Sequence, residues 1–219
     1  MTFQVGFFGN DGMLLAGDTR AVQESDGQQW TTAQSKFIAD ADMNIVIAQS
    51  GFSVALRVAN RLIRENWCGA PNIAEQVVED IYRDEYGDNF KRLSPRPHPM
   101  QLIVVRPKER RMFHVCVDAG TVVTEPLAGK VVSGFATLAL LFLERYVPPN
   151  SSLNDLKPLA ALTVWLTGEI ASFFVNGLEM MEFPHNENPR RLGPKEIKGL
   201  LEWSMETDTK IRQLLVSAG

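Results

Sequence analysis

Residues 2–20 read TFQVGFFGNDGMLLAGDTR, and this stretch decides the fold. Thr2 to Phe8 alternates and is rich in β-formers. Asn10-Asp11-Gly12 is a strong turn signal, and Met13 to Thr19 resumes as a strand. The stretch is therefore a β-hairpin. It ends in Gly17-Asp18-Thr19-Arg20.

Beyond the hairpin, polar Gln23 to Gln29 contains Asp26-Gly27 and reads as a loop. Lys36 to Ala39 and Met43 to Gln49 form a second strand pair around Asp40-Ala41-Asp42. Ser50-Gly51 breaks that pattern. From Phe52 to Trp67 the period changes: Val54, Leu56, Val58, Leu62 and Ile63 recur at helical spacing. Pro71-Asn72 starts a second helix, with Ile73, Val77, Val78, Ile81 and Tyr82 on one face. Glu79, Asp80, Arg83 and Asp84 form its solvated face. Gly87 to Pro99 is polar and Pro-rich, hence a loop. Met100 to Arg106, Arg111 to Asp118, Thr121 to Pro126 and Lys130 to Val132 read as strands. Phe135 to Tyr146 reads as a helix closed by Pro148-Pro149. Leu153 to Phe174 reads as a long helix, with Ser151, Ser152 or Asn154 as candidate caps. Asn176-Gly177 turns into a strand through Phe183, His185 to Gly193 is a loop, and Pro194 to Val216 is a last amphipathic helix. Segregated runs of strands and helices predict an α+β layered fold over residues 1–219 as one domain.

Composition excludes several classes. The chain has 219 residues, long enough for one large core. Lys and Arg number 22 against 26 Asp and Glu, a net charge of −4, and no basic stripe appears. A nucleic-acid partner is not expected. The apolar run around Leu138 to Leu143 is too short to span a bilayer, so no membrane partner is expected. No signal peptide is visible, and Cys68 and Cys116 sit outside any Cys-x-x-Cys motif. The expectation is a cytoplasmic protein with reduced thiols. His98, His114 and His185 lack metal-ligand spacing, so neither a metal nor another cofactor is expected.

Thr2 directly follows Met1. Its small side chain makes Met1 removable, which leaves an α-amine on the same residue as the hydroxyl. An N-terminal Thr then serves as a nucleophile with its own amine as base. That amine has a reference pKa near ~8 and accepts a proton near neutral pH.

Thr2 opening the first strand, Asp18 ending the second, Lys36 in Ser35-Lys36-Phe37, Gly51 at a strand-to-helix junction and Ser133-Gly134 at another form one ordered set. Order and spacing resemble the β subunits of the proteasome and the peptidase subunit HslV, within the N-terminal nucleophile hydrolases. Length and start look most like the bacterial proteasome homologues, especially the beta-proteobacterial group. The resemblance implies a four-layer αββα sandwich. It implies that Thr2 is the nucleophile and that Lys36 lowers the cost of its alkoxide-like state. Asp18 would hold Lys36 charged, the Gly51 amide would donate to the oxyanion, and Ser133 would hydrogen-bond near the Thr2 amine. Taken singly, each has a plainer reading: Asp18 as a turn former, Lys36 as a solvated strand start, Gly51 as a sharp turn, Ser133 as a helix cap.

By the same resemblance, Ala21, Gln34, Ile38, Gln49 and Ser53 would line a mixed polar substrate pocket without net charge. Two positions depart from the family pattern: Phe173 stands where an Asp is usual, and Asn176 near a usual Ser. The segment before Lys36 is about two residues longer than in typical β subunits, by turn-and-strand register. The resemblance also implies a homo-oligomer of stacked hexameric or heptameric rings that takes peptide or protein substrate, with an ATPase unfoldase as a possible partner. A Thr-dependent peptidase, an amidase acting on small amides, and a catalytically silent ring all remain open.

Overall fold

The computed structural model describes residues 2–25, 28–51, 53–92, 99–118, 120–125, 129–134 and 137–217. The strands are β1 Phe3–Phe8, β2 Gly12–Gly17, β3 Arg20–Ser25, β4 Gln28–Ala33, β5 Phe37–Ala39 and β6 Val46–Ser50, then β7 Met100–Arg106, β8 Arg111–Val117, β9 Thr121–Thr124, β10 Lys130–Gly134, β11 Glu179–Pro184 and β12 Arg190–Arg191. The helices are α1 Ser53–Arg64, α2 Pro71–Tyr86, α3 Thr137–Tyr146, α4 Leu153–Ile170 and α5 Pro194–Ser217.

Two five-stranded sheets face one another, in the orders β10-β1-β2-β11-β12 and β5-β6-β7-β8-β9. Every described pairing is antiparallel. Between the sheets lies a core that includes Met13, Leu15, Phe37, Val46, Ala48, Ile103, Met112 and Met181. On the outer face of the second sheet, α1 and α2 bury Val54, Val58, Leu62, Val77 and Tyr82 against Leu102, Val104 and Val115. On the outer face of the first, Leu143, Leu156, Ala160 and Val164 cover Phe3, Val5, Phe7 and Leu14. Alternate residues of β1 and β2 thus serve two different cores, which is why these strands are buried on both faces. The result is the expected αββα sandwich.

Local chemistry sets the boundaries. Gly12 closes the first hairpin, where a side chain would strike the Phe183 carbonyl at 2.6 Å. Pro71 takes the first position of α2, where its missing N–H costs nothing. Ser152 caps α4 in a reciprocal box with Asp155, so of the three candidate caps it is Ser152 that serves.

Four expectations are corrected. Of the expected loop Gln23 to Gln29, residues 23–25 and 28–29 belong to the strands β3 and β4 of a separate two-stranded sheet; Asp26-Gly27 lies outside the described residues. The β4 residues are largely exposed, so burial left no alternating signature in the sequence. Asp88–Arg92, expected as loop, forms a short 3-10 helix. Residues 190–191, also expected as loop, pair with β11 as β12. Helix α4 stops at Ile170, four residues early, because the chain turns there to deliver Val175 into the core.

Candidate active site

The site forms where the start of β1, the end of β2 and the start of β5 meet. Thr2 precedes β1 and is 6% exposed, Asp18 follows β2 and is fully buried, and Lys36 precedes β5 and is 5% exposed. The Lys36 ammonium donates to Thr2 Oγ1 at 2.5 Å and to Asp18 Oδ2 and Oδ1 at 2.9 and 3.1 Å. Asp18 Oδ1 also accepts the Phe3 N–H at 2.8 Å, and Oδ2 the Arg20 N–H at 2.9 Å. One carboxylate therefore fixes the backbone on both sides of the hairpin and the lysine between them. A solvated strand-start lysine and a simple turn-forming aspartate are both excluded by this geometry.

Burial is the main influence on the pair's proton equilibria. It pushes the Lys36 ammonium below its ordinary value, while the Asp18 carboxylate pulls the other way. Burial likewise pushes the Asp18 carboxyl up, against the attraction of Lys36 and its backbone donors. Each partner moderates the penalty that burial imposes on the other.

Glycine makes the close approaches possible. Gly51, between β6 and α1, has φ of +132°, and a side chain there would press on Pro99 O and Met100 Cβ at 3.0 Å. Gly134, at the end of β10, has φ of +83°. Its N–H donates to Gln101 Oε1 at 2.8 Å. Ser133, one residue before it, is fully buried, and its hydroxyl has no hydrogen-bond partner among the described residues. In the encoded chain the Thr2 nitrogen is an amide joined to Met1, so the amine beside which Ser133 was placed does not yet exist.

Thr2, Lys36 and Gly51 open onto a cavity of about 940 Å³. Of the expected pocket residues, Ala21, Gln34 and Gln49 line it. Ile38 does not: it packs against the core under α1 and α2, because the short β5 turns that face outward. The side chain of Ser53 lies outside the described residues. Arg20, Gln101, Cys116, Asp118 and Phe174 also line the cavity and were not foreseen. Arg20 donates to the Ser172 carbonyl. The departures have clear fates. Phe173 is 42% exposed and packs edge-on against Phe174. Asn176 accepts the N–H of its own neighbour Gly177 at 2.6 Å through its side chain, and the Thr19 N–H at 3.0 Å through its carbonyl.

Two further polar residues were missed. Gln4, fully buried, donates from Nε2 to the Gln49 carbonyl at 2.6 Å and so bridges the two sheets next to the site. Glu179, on β11, accepts the Lys36 N–H at 2.6 Å. The available signal was a polar residue in a mainly apolar strand: Gln4 in β1 and Glu179 in β11. Among the described residues no three His, Cys, Asp or Glu side chains gather as a metal site, and no helix is long and apolar enough to cross a membrane.

Comparison with protein-family models finds no match. Comparison with curated proteins finds none either. Solved structures do match. Anbu (ancestral beta-subunit) from Yersinia bercovieri superposes with a TM-score of 0.74 at 12% identity, over 98% of this chain and 96% of that one. Anbu from Hyphomicrobium sp. strain MC1 gives 0.69 at 14% identity, over 98% and 97%. An Anbu mutant from the same strain gives 0.67 at 15%, over 99% and 97%.

The fold is Anbu-like.

At these identities the likeness concerns the fold alone, a proteasome-like N-terminal nucleophile hydrolase fold. It corrects the subgroup expected from sequence: these neighbours are Anbu proteins, a group distinct from HslV and from the beta-proteobacterial homologues. Thr2, Asp18, Lys36 and Gly51 sit at strand ends and a turn of the sandwich, and their order and spacing alone do not assign the chain to one branch of the fold.

Proposed function

We propose that this chain is a threonine-dependent amide hydrolase of the proteasome-like kind, acting on peptides. The observation that carries the reading is the 2.5 Å hydrogen bond from the buried Lys36 ammonium to Thr2 Oγ1. After Met1 is removed, the freed Thr2 amine takes the hydroxyl proton. The ammonium stabilises the negative charge that develops on Oγ1. The nucleophile attacks the substrate carbonyl, and the Gly51 N–H donates to the tetrahedral oxyanion. The amine then returns its proton to the leaving nitrogen. Water repeats the cycle on the acyl-enzyme. Ser133 assists by hydrogen bonding to the freed amine.

A cavity of about 940 Å³ accommodates an extended peptide in place of a small amide. Arg20, Asp118 and several amides line it together with Met100, Val117 and Phe174, a mixed polar and apolar lining. The working form is a cytoplasmic homo-oligomer of stacked rings, with six or seven copies per ring, and an ATPase unfoldase supplies extended substrate. The exposed Leu140 and Tyr146 of α3 and Leu56 of α1 provide apolar contacts for neighbouring copies.

Intact mass and a fluorogenic peptide panel test this reading together. The expected result is a chain lacking Met1 that hydrolyses at least one peptide and loses all turnover on Thr2→Ala. Retention of Met1 in the purified protein, or undiminished turnover by Thr2→Ala, overturns it.

A further inference from the structure

Glu179 is an ionisable side chain buried at 6% exposure. A buried carboxylate is expensive unless its oxygens are occupied, and here both are. Oε1 accepts the backbone N–H of Lys36 at 2.6 Å. Oε2 accepts the Ser35 hydroxyl at 2.8 Å and Arg191 Nη1 at 3.2 Å. Arg191 Nη1 also donates to Ser35 Oγ at 3.1 Å. Ser35, Glu179 and Arg191 thus close a triangle around the start of β5. Glu179 reaches it from β11, where it pairs with Gly17, the residue before Asp18.

Nothing in the threonine mechanism uses this triangle, yet its carboxylate holds the backbone N–H of the mechanism's lysine, while Ser35 Oγ meets the backbone of Phe37. We propose that Glu179 is a positioning residue for Lys36: it grips the Lys36 backbone and sets a second buried negative charge, beside Asp18, that keeps the ammonium protonated. The inference rests on the threonine mechanism for its effect on turnover. Its structural half stands independently. The charged groups around Glu179 are Lys36 from the start of β5, Arg191 from β12, and Asp18 from the end of β2. Of these, Glu179 and Asp18 both favour the Lys36 ammonium against burial. Burial pushes the Glu179 carboxyl above its ordinary value, while the Lys36 N–H, the Ser35 hydroxyl and Arg191 pull the other way, toward the ionised form.

The substitution Glu179→Gln separates the two roles, because an amide oxygen still accepts the Lys36 N–H while the charge is gone. Two readouts decide. The first is the titration of Lys36 followed by NMR in protein labelled at lysine Cε, in the wild type and in Glu179→Gln. The Lys36 midpoint should move to lower pH in the variant, with the other lysines unmoved; an unmoved Lys36 overturns the inference whether or not the protein is catalytic. The second is kinetic. Glu179→Gln should lower kcat on the order of tenfold with KM held within about twofold, and Glu179→Ala should lower it further. Its alkaline pH limit should fall together with the Lys36 midpoint. Full kcat with an unshifted alkaline limit overturns the inference alone, provided Thr2→Ala remains inactive. Turnover persisting in Thr2→Ala would instead remove the threonine mechanism and leave the NMR result as the judge of Glu179.

Discussion

Gly134 lies so close to Thr2 that a β-carbon on it would stand 1.8 Å from the Thr2 carbonyl oxygen. The glycine adopts φ of +83°, which other residues take only at a cost of about 1–2 kcal/mol. Gly134→Ala must therefore either displace Thr2 or push β10 away from β1. The expected outcome is a folded but destabilised protein whose kcat falls far more than its thermal stability. Melting temperature and single-turnover rate on the same preparation check it.

Lys36 and Asp18 form a buried pair, so removing one charge leaves the other stranded. Asp18→Asn should destabilise by about 3–5 kcal/mol, whereas Asp18→Asn combined with Lys36→Met should recover much of that loss. Neither protein should turn over substrate, because both lack a positioned ammonium. Urea denaturation of the single and double variants measures the coupling. Strict additivity of the two substitutions would contradict the geometry.

Activity should be confined to a pH window bounded by two groups. The Thr2 amine works as a base only when neutral, so it sets the acid limit. The alkaline limit belongs to Lys36, which must be protonated. Burial lowers its pKa, so the ammonium is lost as pH rises through a value below the ordinary lysine value of ~10.4. A kcat profile against pH should show both limbs. An alkaline limb at or above that ordinary lysine value would mean that Lys36 is not the group involved.

Gln101 holds the Gly134 N–H across the gap between the sheets at 2.8 Å. Gln101→Leu leaves that donor without its partner at a cost of about 1–3 kcal/mol. Gln101→Glu keeps an acceptor and should retain most of the stability. Comparing thermal melts of the two variants separates the lost hydrogen bond from lost packing.

The parts legible in the sequence are those where a single strong signal acts alone. Asn10-Asp11-Gly12 announces the first hairpin because few other residues make that turn. The helices announce themselves because α1 and α2 each bury one stripe. Hairpin β3–β4 is not legible, since β4 is largely exposed and burial imposes no alternation on it. At the site, Thr2, Asp18 and Lys36 are legible from order and spacing. Gln4, Gln101 and Glu179 are not. Each is a polar residue in a mainly apolar strand, and only the meeting of two sheets shows that its partner lies on a distant segment. Ile38 fails for the opposite reason: on a strand of three residues, position alone does not say which face looks into the cavity.

The pairing of β2 with β11 has a consequence for the birth of the protein. β2 lies between β1 and β11, yet β11 follows it by more than 160 positions in the chain. At ~5–20 residues per second, a ribosome needs on the order of ten seconds or more to supply that partner. Until then β2 has a bare hydrogen-bonding edge of apolar residues, open to any passing strand. The same delay withholds Glu179, so until β11 emerges the Lys36 backbone lacks the carboxylate that grips it.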